Sequence, residues 1–280
     1  MTPFAPPPRH RRDLRVWIVS DGKIGMENQC RGLVEALGVT ADIKRIDIAA
    51  PWCWLPPQLW LAPLAALTRR GDTLQPPWPD LLIATGRRSV APALAIRKAS
   101  RGATFCVQLQ NPGVDPSRFD LVIAPDHDNL AGLNVLSLLG SPHGVTAAKL
   151  AAARAEFAPL LEPLPQPRIA VLLGGDNAVY RMTDAMAVRL AANLADCART
   201  TGGGLAITAS RRTPPSAMKR IREALAGESV VFYDGDAAMR DAGYTRPFRG
   251  RLDDWRYAPP RETARAAAEI ARRMNLDRSG

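Results

Sequence analysis

Residues 79–98 read PDLLIATGRRSVAPALAIRK, and their pattern decides the fold. Residues 81–84 are a short apolar run of the kind that lies inside a parallel sheet. The turn Thr85-Gly86-Arg87-Arg88-Ser89 follows and opens a helix that runs to Ala99. The same strand–turn–helix unit recurs on both sides. Residues 14–19 (LRVWIV) predict a strand, Ser20-Asp21-Gly22-Lys23-Ile24-Gly25 its turn, and residues 26–37 a helix closed by Gly38. Residues 42–48, 104–109 and 119–124 add strands, for about five in this half, and residues 147–161 form an Ala/Leu-rich helix. Three prolines within residues 163–167 cannot continue a helix, and the pattern restarts after them. Strands are expected at 169–173, 205–208 and 230–233, with helices at 184–199, from Pro214, and at 262–274.

Alternating strands and helices predict an α/β protein of two Rossmann-like lobes. The expected divisions are a Pro-rich, basic and disordered leader over 1–13, a first lobe over 14–162, and a linker over 163–167. A second lobe follows over 168–245, then a C-terminal segment and helix over 246–280. Three strands make the second lobe short, near the lower end of usual sheets.

Composition narrows the function classes. The 280 residues are 46% hydrophobic and 23% charged, the proportions of a globular domain rather than a disordered chain. No apolar run reaches the roughly 18 residues of a spanning helix. The leader is basic with no apolar stretch behind it, so it fails as a secretory signal, and a reducing cytoplasm is the expected location. Four dispersed cysteines and three dispersed histidines argue against a zinc site, so no metal and no cofactor are expected. The 37 Lys+Arg outnumber the 27 Asp+Glu, giving a net charge of +10. This points to an anionic partner, either a phosphorylated small molecule or an acidic membrane surface. Nucleic acid is disfavoured, because the cations are spread along the chain and aromatics are only 6%.

In open parallel sheets, ligands sit beyond the carboxyl ends of strands. Four loops there carry suitable groups: Asp21, Gly22, Lys23 and Gly25; Gly86, Arg87, Arg88 and Ser89; Gly174, Gly175, Asp176 and Asn177; and Ser210, Arg211, Arg212 and Thr213. Glycines let a phosphate approach the backbone, and arginines bind it through two donors. Each loop can equally be an ordinary turn with solvated arginines. None forms a Walker A sequence or a complete G-x-G-x-x-G, which disfavours nucleoside triphosphatases and dinucleotide dehydrogenases. Asp21 and His127 are the catalytic candidates. His127 lies between Asp126 and Asp128, either as a carboxylate-oriented base or within a capped polar turn. The Trp-rich run PWCWLPPQLWLAPLAAL over 51–67 reads either as lobe core or as an interfacial membrane patch.

Taken together, SDGKIGMENQCRGLVEALG, PDLLIATGRRSVAPALAIRK, QLQNPGVDPSRFDLVIAPDHD, VLLGGDNAVYRMT and ITASRRTPP resemble bacterial members of the Elongated Mitochondria fission-factor family. The resemblance covers most of residues 14–233 and resumes over 246–257. It implies a GT-B-like architecture, with a nucleotide-sugar or related phosphorylated ligand in an interlobe cleft and a sugar passed to an envelope or lipid acceptor. By position, it places Gly174–Asn177 and Ser210–Thr213 on the donor side. Asp21, Gly22, Lys23, Gly25 and His127 fall on first-lobe loops at the cleft. Family members continue their second lobe through an acidic, hydroxyl-rich segment and a further strand. Here Asp234-Gly235-Asp236 passes directly to Ala237-Ala238-Met239-Arg240, so the second lobe is expected to be shortened. Two alternatives stand beside the transferase: a non-catalytic, membrane-associated adaptor peripheral to the inner membrane, and an inactive truncated paralogue.

Overall fold

The computed structural model describes residues 10–177, 179–233 and 261–276. Its residues group into two compact units, 1–145 with 252–280, and 146–251. Each is an α/β unit built on a parallel sheet.

The first unit carries six strands: β1 (Val16–Ser20), β2 (Asp42–Arg45), β3 (Leu81–Thr85), β4 (Phe105–Leu109), β5 (Leu121–Pro125) and β6 (Val135–Leu138). All pair in parallel, in the order β2-β1-β3-β4-β5-β6. β1 and β3 are buried along their whole length, as strings of Val, Ile and Leu without polar alternation require. One face packs against α1 (Ile24–Leu37) and α6 (Glu262–Met274), through Leu33, Leu37, Ala266 and Ile270 among others. The other packs against α2 (Arg87–Ala99), through Val90, Ala93 and Ile96, and against Trp60, Ala66 and Leu74. Gly38 closes α1 at φ 67°, a left-handed angle that glycine adopts without a Cβ penalty.

Among its described residues the second unit has three parallel strands, β7 (Arg168–Leu173), β8 (Gly204–Ala209) and β9 (Val230–Tyr233), in the order β7-β8-β9. The crossover helices α4 (Asp184–Thr201) and α5 (Pro215–Ala224) share one core with alternate strand residues, including Leu173, Leu205 and Ile207. Opposite lie Ala170, Leu172, Ala206, Thr208, Val231 and Tyr233. They face α3 (Ala147–Leu161) across a cavity of about 420 Å³. α3 buries none of its residues, although Phe157 meets Tyr233 edge-to-face at 5.2 Å. Among the described residues, the second sheet is therefore closed on one face and thinly covered on the other. Three described strands agree with the shortened second lobe read from the sequence.

Several boundaries differ from the sequence reading. The first sheet has a sixth strand, β6, and β2 stops at Arg45 rather than continuing to Ile48. The unit boundary falls at residues 145/146, so α3 belongs to the second unit and α6 to the first. Residues 163–167 form no free linker. Gly204 N–H donates to the carbonyls of Pro165 and Pro167 at 3.1 Å, and Leu164 is buried. A Cβ on Gly204 would press into Leu164, so glycine admits this contact. Part of the leader is also held, because Arg11 Nη1 donates to the Leu37 carbonyl at 2.7 Å. The expected disorder of residues 1–9 and the segments at 234–260 and 277–280 lie outside the described residues.

Candidate functional site

β1 is the point where strand order reverses, since the chain leaves it for β2 on one side and later returns to β3 on the other. Loops after such neighbours diverge and leave a crevice at the carboxyl edge. The β1 loop holds Asp21, Gly22 and Lys23; the β3 loop holds Gly86, with Arg87 and Arg88 exposed in the first turn of α2. The two loops are neighbours. A Cβ built on Gly86 would lie 3.9 Å from Asp21 Oδ1 and 3.1 Å from the Met26 methyl. Gly86 also sits at φ 82°, so a side chain there would strain the backbone and press on the Met26 methyl.

Hydrogen bonding separates groups that hold the loops from groups left over. Ser20 Oγ donates to Glu27 Oε1 at 2.9 Å and accepts from Gly22 N–H at 2.9 Å. Glu27 takes both arms of Arg45, at 2.8 and 2.9 Å. The Arg45 pair holds the Glu27 carboxyl below the usual carboxylate range, against the opposing effect of burial. Lys23 Nζ pairs with Asp21 Oδ2 at 2.8 Å. Ser89 is buried, and its hydroxyl bonds the carbonyls of Thr85 and Gly86 within the helix turn. Among the described residues, the buried side-chain oxygens Asp21 Oδ1 and Gln108 Oε1 remain without a hydrogen bond, and Thr85 Oγ1 has the Cys30 thiol beside it. They close the adjacent strands β1, β3 and β4. Cys30 lies by Thr85, and burial pushes its thiol well above the ordinary range. An unmade bond at a buried acceptor costs about 1–3 kcal/mol.

Of the sequence candidates, Asp21, Gly22, Lys23, Gly86, Arg87 and Arg88 gather at this switch point. Gly25 lies exposed in the first turn of α1, with open space where a side chain would go. His127 belongs to a 3-10 turn after β5, with Nε2 at 3.6 Å from Asp128 Oδ1. Strands sit roughly 4.8 Å apart, so β1 and β5, three places removed, stand about 14 Å apart. The structure does not bring His127 and Asp21 together.

In the second unit, the loops after β7 and β8 form one structure. Asp176 N–H donates to the Arg212 carbonyl at 2.9 Å, and Thr213 Oγ1 meets the Gly174 carbonyl at 2.7 Å. A Cβ on Gly175 would drive into the Arg212 backbone, so glycine is required for this approach. Asp176 Oδ1 accepts from Met182 N–H, while Asn177 Oδ1 accepts from Val179 and Tyr180 N–H. Ser210 and Thr213 hydroxyls bond each other's segment. The polar side chains of both loops thus hold the turns, and the exposed guanidiniums of Arg211 and Arg212 flank the backbone they shape.

Ser20, Glu27, Arg45, Thr85 and Gln108 were not among the sequence candidates. Ser20 and Thr85 lay in the quoted turns; the Glu27–Arg45 pair joins residues 18 apart and has no local signature. Among the described residues no group of His, Cys, Asp and Glu has metal-site geometry, and no helix is long and apolar enough to cross a membrane.

Comparison with known proteins adds the family. The family model described as "Mitochondrial fission ELM1" matches residues 24–238. The Mitochondrial fission protein ELM1 of Arabidopsis thaliana is 23% identical over 292 aligned positions, covering 78% of this chain and 68% of that protein. Two solved structures are also similar. UDP-N-acetylglucosamine 2-epimerase from Rickettsia bellii has 11% identity and a TM-score of 0.38, over 79% of this chain and 68% of its own. UDP-GlcNAc 2-epimerase from Methanocaldococcus jannaschii has 9% identity and a TM-score of 0.44, over 81% and 75%.

Proposed function

The chain belongs to the mitochondrial fission ELM1 family, and we propose that it binds a nucleotide-sugar or related phosphorylated ligand at the carboxyl edges of its sheets. The observation that carries this reading is the β1/β3 switch point. There, buried Asp21 Oδ1 lacks a partner, beside Thr85, Lys23 and the glycine-opened start of α2. Acceptors of this kind suit sugar or ribose hydroxyls, and the cations Lys23, Arg87 and Arg88 suit phosphate. In the second unit, Arg211 and Arg212 stand over a glycine turn that exposes backbone, a second phosphate-compatible edge. In its enzymatic form the reading is a GT-B-like transferase that passes the sugar to an envelope or lipid acceptor. Basic side chains and helix starts would stabilise the departing diphosphate without a bound metal.

The test is a thermal-shift series on the full chain with UDP, UDP-sugars and pyrophosphate. A raised midpoint is expected, reduced in Asp21→Asn and in Arg211→Ala with Arg212→Ala, and kept in Lys219→Ala on the exposed side of α5. No shift with any of these compounds overturns the reading. A non-catalytic adaptor is the second reading. It is favoured by the engagement of Asp176, Asn177, Ser210 and Thr213 in holding their own loops. That reading expects ligand-independent stability.

A further inference from the structure

The first unit has a second surface that the sheet-edge ligand does not use. Between β2 and β3 the chain makes no α-helix, only a 3-10 turn at Pro57–Leu59; residues 49–66 form a loop closed at its neck. Ala49 N–H donates to the Ala66 carbonyl and Thr68 N–H to the Asp47 carbonyl, both at 2.9 Å. One side of the loop joins the core, where Trp60 and Ala66 are buried against α2. The other side points outward: Trp54 is 75% exposed, Leu59 56% and Leu61 91%. Beside Leu61, a groove of about 550 Å³ runs between the loop and α2, and Lys98 and Arg118 stand on its wall. Both cations are exposed. No acidic residue occurs from 48 to 71, and Arg69 and Arg70 end that stretch.

We infer that this face docks the protein on an anionic lipid bilayer. Trp54, Leu59 and Leu61 enter the headgroup region, while Lys98 and Arg118 meet lipid phosphates. An indole is at home where apolar and hydrated layers meet. A leucine exposed over nine-tenths of its surface needs an apolar medium to leave water. Within residues 48–71 every charge is basic, and Lys98 and Arg118 add to it, which suits the dense negative surface of anionic lipid, although Asp115 lies beside Arg118. A bilayer supplies both features at once, and it requires no groove matched to a particular side chain.

The experiment is co-sedimentation of the full chain with vesicles of phosphatidylcholine alone and with added phosphatidylglycerol. Binding to the anionic vesicles is expected, weakening as salt rises. Trp54→Asp with Leu61→Asp should lower the partition coefficient at least about a hundredfold, the scale of losing two buried apolar side chains. Lys98→Glu with Arg118→Glu should lower it by about 25-fold or more, at roughly fivefold for each cation lost. Circular dichroism and the melting midpoint should stay unchanged in both, because all four side chains project outward. In the unmutated chain, brominated lipid should quench tryptophan emission, and Trp54→Phe should remove most of that quenching while leaving binding largely intact. Equal binding to neutral and anionic vesicles, or equal binding by the variants, overturns the proposal. So does a concentration-dependent dimer that Leu61→Asp dissolves in a chain that ignores vesicles, since a second copy then covers the face. Failure here leaves ligand binding untouched, because the thermal-shift test reads residues in neither variant.

Discussion

The two parallel sheets use the same strand–helix grammar but differ in how completely they are enclosed. In the first unit, α1 and α6 cover one face and α2 with the Trp-rich loop covers the other, so Ile83 and Leu82, neighbours on β3, are both at 0% exposure. In the second, α4 and α5 cover one face, and α3 spans a cavity over the other, leaving Leu172 56% exposed. A parallel strand normally needs both faces covered. The contrast shows that crossover direction decides enclosure. Two successive crossovers that advance the same way put α4 and α5 on one side, whereas the reversal at β1 distributes helices to both.

The largest expected difference lies in truncation. Ile83→Ala should cost about 3–4 kcal/mol, because transfer and cavity terms add in a site packed on all sides. Leu172→Ala removes a side chain of the same size from an open face and should cost less than about 1 kcal/mol. Urea melts followed separately in each unit would check this. Similar losses would show that the second sheet is enclosed after all.

Hydrogen exchange tests the same contrast without mutation. Amides of β9 should exchange on the order of 100-fold faster than those of residues 18–19 and 81–84, since thinly covered elements open at lower free energy. Uniformly slow exchange in both sheets would remove the difference and the shortened-lobe reading with it.

Much of this arrangement was legible in the sequence, for a physical reason. Runs such as residues 81–84 and 230–233 cannot be amphipathic helices, and the glycines and prolines around them mark where they stop. β6 was missed because VLSL follows a loop-like NLAGLN and sits at the sheet edge, where only Leu138 is fully buried. The limits of α3 were legible from its composition, but its poor burial depends on a strand face elsewhere in the chain. The site divides likewise. Asp21, Lys23, Gly86 and Arg87 announce themselves as turn residues after strands. Glu27 and Arg45 become recognisable as a pair only once strands align. In the Trp-rich loop Trp60 lies inside, as its reading as lobe core expects, while Trp54 lies outside.

Acid should sharpen the comparison more gently. The carboxylates held below their usual range, Glu27, Asp115 and Glu269, all lie in the first unit. Glu269 is lowered to about 2, first by its bond to Arg272 and then by Arg273, which also reaches the Asp120 carbonyl at 3.2 Å. A depressed carboxyl contributes stability that is present above the ordinary glutamate value, about 4.3, and lost as pH falls through its folded value. The first unit should therefore lose stability between about pH 4.3 and 2. Glu27→Gln should flatten part of that slope and cost about 1–2 kcal/mol at neutral pH, since Arg45 and Ser20 lose a charged acceptor. A slope unchanged in this variant would place the acid sensitivity elsewhere.

The smallest effect is a gain at Ala206 in the second unit, opposite in sign to the same change at Ala84 in the first. Ala84 on β3 is fully buried, with Val19 and Val90 in the same core, so Ala84→Val adds two methyl groups where no room exists. Overpacking of this kind should cost about 1–3 kcal/mol. Ala206 on β8 instead lines the cavity beneath α3, together with Leu172, Val231 and Phe157. Ala206→Val keeps a β-branched side chain in a strand and extends into empty apolar space, so it should stabilise the second unit by about 0.5–1 kcal/mol. It should also slow exchange in β9, whose Val231 pairs with Ala206 across the ladder. Differential scanning calorimetry with exchange on the same samples would read both. Destabilisation by both substitutions would mean that α3 already rests tightly on the sheet and that the second unit is as closed as the first. Opposite signs would show that the missing cover, rather than any weakness in the strands, sets the lower stability of the smaller sheet.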